Sequence, residues 1–202
     1  MFQFVINLII LINKSSIHFP LQSEFHMLRH FETINDATQE KLLSNGYSLS
    51  QIQQEVFLPG SKFFSHFAND IKKLLEKVLQ HPYQKTTGIN GNHIIESVLS
   101  KTEYPNGIGT KAVVNLDEIT KDQQAQIFYE KNRGFPLAHL LVDDLPITNQ
   151  FTLILKPIPD GYAFITAFSG VSAMPIPDYK MTNAQFEACK KFWELHLFLK
   201  KK

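Results

Sequence analysis

The chain has 202 residues, of which 44% are hydrophobic and 19% charged, and its formal net charge is +1. That length suits one ordinary domain or a small helical unit joined to a compact α+β unit, and the composition excludes a chain that stays disordered. The near balance of charge excludes a general nucleic-acid coat and a polybasic membrane binder, leaving room only for a local basic cleft.

Residues 1–34 form an N-terminal segment whose opening run, Met1 to Ile12, is apolar but too short to span a bilayer. It lacks a basic leader and a small-residue cleavage site, so three readings compete: a weak signal segment, a packed first element, or sequence upstream of a start at Met27. Lys14 follows the apolar run instead of preceding it, which ranks export last. The i,i+4 pair His26 and His30 lacks an acidic partner motif and is expected on a helix surface.

Residues 35–81 read as helical. Asp36 with Gln39 resembles a capping pair, Leu42 and Leu43 supply an apolar face, and Gly46 is placed to stop the helix. A second helix opens near Ser50 and breaks at Pro59-Gly60, and a third is expected from Ser61 to Leu79, where apolar residues recur at steps of three and four. His81 to Gly88 breaks that period and reads as a linker.

Residues 88–202 read as an α+β domain. A helix is expected from His93 to Leu99, a strand from Lys111 to Leu116, and a helix from Thr120, capped by Gln123, through Phe128 and Asn132 to a stop at Gly134. Leu137 to Val142 suits a strand or a short buried segment. Phe151 to Leu155 and Tyr162 to Phe168 are the clearest strands, joined across Pro159-Asp160-Gly161. Thr182 with Gln185 opens a last helix whose inner side holds Phe186, Cys189, Phe192, Trp193 and Leu197, with Lys200 to Lys202 as its solvated end. Helices first and paired strands later imply an α+β fold with a twisted antiparallel sheet, not a doubly wound one.

Cys189 is the only cysteine, which excludes an intrachain disulfide and a thiolate metal site and fits a reducing, cytoplasmic setting. No GxGxxG, P-loop or HExxH run occurs, so neither a cofactor nor a metal is expected. Chemistry concentrates instead in Gly88-Ile89-Asn90-Gly91-Asn92-His93. A cap at Asn90 or Asn92 would set His93 in a first helical turn, where the dipole favours the neutral ring that a general base requires. Gly91 and Asn92 could bring backbone amides to an anion; an Asn-Gly turn with a polar cap explains the same residues without chemistry. Arg133 is read as a helix-terminal cation or an anion clamp, and His139 as a core histidine with its polar atoms satisfied. On strict alternation Tyr162, Phe164, Thr166 and Phe168 share a face, so Thr166 and the nearby Ser169 could meet a phosphate or oxyanion.

The Gly-Ile-Asn-Gly-Asn-His turn and the Thr166 to Gly170 strand end resemble the C-terminal toxin domains of bacterial polymorphic toxins, the small metal-independent ribonucleases grouped with EndoU, colicin E5 and RelE. The resemblance covers about Gly88 to Lys202. It implies that His93 activates a ribose 2′-hydroxyl of RNA while Arg133 and Thr166 stabilise phosphate. Two other classes stay open: an enzyme acting on a small anionic substrate through His93 and Arg133, and a non-catalytic module that binds a protein partner.

Overall fold

The computed structural model describes residues 16–202, so the readings placed on Met1 to Ile12 lie outside the described residues. The α+β class is the one observed, with a five-stranded sheet, a four-stranded sheet and a short two-stranded ribbon accompanied by six α-helices. No helix among the described residues is long and apolar enough to cross a membrane.

The described residues begin with β1 (Ile17–His18) and α1 (Leu21–Met27), then a 3-10 turn over Leu28–His30. Three short helices follow: α2 (Asp36–Ser44), α3 (Leu49–Val56) and α4 (Ile71–Val78). The caps of α2 and α3 fall one and two residues before the expected ones, whereas α4 begins well after Ser61. Asn35 accepts from the Thr38 amide, Ser48 and Gln51 form a reciprocal capping box, and Asp70 accepts from the Lys73 amide. The helix expected from Ser61 is therefore cut to its last eight residues. Phe63 and Phe67 instead enter the core from irregular chain, where Phe63 bridges to Phe31 and Gly109.

The five-stranded sheet is built from β1, β2 (Gln84–Thr87), β3 (His93–Val98), β9 (Gln150–Ile158) and β10 (Gly161–Ser169), in the order β1-β10-β9-β3-β2. All its pairings are antiparallel except β1 with β10. The stretch read as a linker thus contains an edge strand. The helix expected over His93–Leu99 is a strand, because Ile94, Ile95 and Val98 are stiff at χ1 and the segment pairs with β9 along its length and with β2 over His93–Glu96. One face of this sheet packs Ile95, Leu153, Leu155 and Phe164 against Met27, Phe31 and the apolar side of α4. Helices and sheet so share one core across the boundary drawn at residues 81–88. Gly161 is required where β1 crosses the hairpin, since a Cβ there would meet the Ser16 carbonyl oxygen at 2.2 Å.

The ribbon of β4 (Gly109–Thr110) and β8 (Ile147–Thr148) leads into the four-stranded sheet. That sheet holds β5 (Val113–Asn115), β6 (Phe128–Asn132), β7 (Phe135–Val142) and β11 (His196–Lys201) in the order β5-β11-β7-β6. The helix opened by Thr120 is real but stops as α5 (Lys121–Gln124), and the aromatic run after it becomes β6. Arg133 and Gly134, with φ of 50° and 86°, make the two-residue hairpin between β6 and β7, so Arg133 ends no helix. The last helix, α6 (Asn183–Leu195), has the expected Thr182 and Gln185 box and buries Cys189 and Trp193. Leu197 and Lys200 belong to β11 rather than to that helix.

Candidate functional site

His93 lies on the core-facing side of β3, between Thr87 of β2 and Leu155 of β9. Its ring sits 5.5 Å from that of Tyr162, and the Lys85 ammonium approaches the Tyr162 hydroxyl at 3.4 Å. Burial first, and Lys85 second, hold its pKa below the ordinary histidine value. Burial, not a helix dipole, is therefore what favours the neutral ring at this position. Its Nδ1 is enclosed with no hydrogen-bond partner among the described residues. The glycines around it form the β2–β3 loop: the Gly88 amide donates to the Asn92 carbonyl at 2.9 Å, and the Asn92 amide to the Asn90 side chain at 3.2 Å. Gly91 and Asn92 are turn residues and open no helical anion site.

The other expected partners are not brought to His93. A bulge leaves Ile165 without a partner, because Phe164 pairs with Leu155 while Thr166 pairs with Ile154. After it the faces exchange. Phe164, Ala167 and Ser169 point to the core, and Thr166 falls in register with Ile154 and Ile94, on the face opposite His93. The Thr166 hydroxyl contacts the Met27 sulfur at 3.7 Å. Ser169 is buried, and its hydroxyl donates to the Thr110 carbonyl at 2.6 Å. Arg133 lies on the four-stranded sheet, largely exposed, with an ion pair of 3.5 Å to Asp178. Asp143 and Asp144 pair with Lys202 and Lys201.

His139 is sandwiched between Phe128 and Phe198, with ring centroids at 5.6 and 5.5 Å. Burial and then Lys200 lower its pKa, against the raising effect of Glu130 at 3.6 Å. It is a core histidine, as expected, but one whose Nδ1 is unsatisfied among the described residues. His30 is not a surface residue. Its Nδ1 lies 3.3 Å from the Ser61 carbonyl and its ring 5.8 Å from Phe168, and burial pushes its pKa down to about 3. Beside it Lys62 donates to the carbonyls of Arg29 and Val56 at 3.0 and 2.6 Å, while Arg29 pairs with Glu55 at 2.5 Å. Burial and Arg29 lower the Lys62 pKa. This knot ties the 3-10 turn to the end of α3.

The concavity that sequence reasoning missed lies among the helices. A cleft of about 770 Å³ is walled by Phe19, Leu28, Phe31 and Ile71, with Ala37 and Thr38 of α2 at its side. Its rim charges are mutually compensated. Lys41 meets Glu24 at 2.6 Å, and Asp70 receives the Asn35 amide at 2.5 Å, so the two helix caps bind each other across the opening. Glu24, Asp70, Lys41 and Lys72 sum to zero formal charge. The only sequence signal was the high density of phenylalanine and leucine between Phe19 and Ile71, which a buried core produces equally well. Among the described residues no three His, Cys, Asp or Glu side chains gather as a metal site. Comparison with protein-family models, curated proteins and solved structures returns no match for this chain.

Proposed function

We propose that the protein is a non-catalytic binding module whose ligand is a small, uncharged, largely apolar molecule held in the cleft between α1, α2 and α4. The observation that carries this reading is the cleft itself: about 770 Å³, apolar-walled, with Glu24, Lys41, Asn35 and Asp70 at its rim each committed to an internal partner. Small-molecule sites commonly occupy roughly 300–1,000 Å³ and combine apolar walls with few polar groups. A charge-neutral rim gives no reward to an ionic ligand, whose desolvation would go uncompensated. Catalysis by His93 finds less support, because Arg133 sits on another sheet and Thr166 on another face.

The test is titration of the neutral apolar dye Nile red into the protein and an Ala37→Trp variant. Ala37 lies on an exposed turn of α2 and its enlargement fills the mouth of the cleft. The wild-type protein should enhance dye emission with a dissociation constant of roughly 10–100 μM, as expected for a ligand of that size. The variant, with an unchanged thermal midpoint, should lose it. Equal enhancement by both proteins removes the cleft as the binding site.

A further inference from the structure

We infer a second binding site, for a small organic cation, at the open end of the five-stranded sheet. β2 ends where Gln84 pairs with Glu96, but β3 continues through Ser97 to Val98, so its outer edge is left without a strand partner. Chain around Pro82 and Tyr83 bends away there, tied back by the Ser97 hydroxyl, which donates to the Pro82 carbonyl. The gap is a cavity of about 420 Å³, closed on its other side by Gly170 and Val171.

Glu96 gives this cavity its chemistry. The side chain is half-buried, and its Oε1 is fixed by the Ser172 amide at 2.9 Å. No lysine, arginine or histidine among the described residues pairs with it. A half-buried carboxylate with one neutral donor and no paired cation still has acceptor capacity and charge that a bound ammonium can meet. The walls supply the rest. Val98, beside Glu96 on the same face of the sheet, adds an apolar flank, and Gln84 and Gln150 add side-chain carbonyls that can accept from an ammonium. The ligand class that satisfies all of these is a primary ammonium on a compact aromatic or aliphatic body. An anion would meet Glu96 with like charge, and an uncharged molecule would leave it unpaired.

The site is tested by following backbone amide resonances of the intact protein during titration with benzylamine, benzyl alcohol and benzoate. Benzylamine should saturate with a dissociation constant of roughly 1 mM and shift amides at residues 83–84, 96–98 and 170–172. Benzyl alcohol, its neutral counterpart, should bind at least about tenfold more weakly, and benzoate not at all. Glu96→Gln keeps an acceptor for the Ser172 amide, so the fold is retained while the advantage of the amine over the alcohol disappears. Equal binding of amine and alcohol by the wild-type protein overturns the assignment, as does undiminished amine binding by Glu96→Gln. Amine-induced shifts confined to the helical cleft overturn it as well.

Discussion

The helical cleft and the cavity at the sheet end differ most in how their charges are settled. Around the helical cleft Glu24 is matched by Lys41, and Asp70 by Asn35 and the Lys73 amide. At the sheet end Glu96 has one backbone donor and, among the described residues, no cation. The lesson is that a cavity's ligand class follows from what its own polar groups still lack. Apolar wall area makes both places able to hold something, and the residual charge decides what.

Substitution at the floor of the cleft has the largest expected effect. Phe31 is almost wholly buried, packs against Phe63 at 6.1 Å, and also walls the cleft. Phe31→Ala should cost about 3–5 kcal/mol in chemical denaturation, from lost burial and an added void. It should alter Nile red binding and leave amine binding at the sheet end unchanged in whatever fraction remains folded. Loss of both together would mean that the two cavities are one cooperative unit.

Acid offers a graded approach to the same region, because His30 braces the turn that carries Leu28 into the cleft. Its folded pKa, about 3, lies below the ordinary 6.5, so protons bind the unfolded chain better. The associated stability is complete above pH 6.5 and declines as pH falls from there toward 3, by up to about 1.4 kcal/mol per pH unit. His26, His93 and His139 are lowered too and act with the same sign. Denaturation midpoints measured between pH 7 and pH 4 should show this slope, and His30→Gln should flatten it. An unchanged slope in the variant would remove His30 from the account.

The smallest expected effect is at the rim. Asp70→Ala removes the cap of α4 and strands the Asn35 amide, for about 1–2 kcal/mol by the same denaturation measurement. It also leaves Lys72 at the mouth without a balancing carboxylate. An anionic dye should therefore bind the variant better than the wild-type protein. Indifference to dye charge would show that rim compensation does not select the ligand.

Much of the fold was legible locally. The β9–β10 hairpin announced itself by apolar strands around Pro159-Asp160-Gly161, and α6 by its Thr182 and Gln185 box. Where one signal serves two structures, the reading failed. Asn92 before His93 suits a helix cap or a hairpin loop, and only pairing with β9 and β2 decides for the strand. The box at Thr120 was read correctly, but its length was not, since Phe128 and Tyr129 gain more from pairing along β7 than from prolonging a helix. The single unpaired residue, Ile165, reassigns every side chain after it, and no local pattern marks it. Site residues were the least legible. Leu28, Phe31 and Ile71 look like any core residues, and that Glu96 has no cation beside it among the described residues is a property of three-dimensional neighbours.

The central claim, that the cleft between α1, α2 and α4 binds uncharged apolar molecules, is tested most directly by Nile red titration of the wild-type protein beside Ala37→Trp. Saturable emission at roughly 10–100 μM that the variant loses, with its thermal midpoint unchanged, is the predicted result. Saturation of equal strength in both proteins, or none in the wild type, would contradict it.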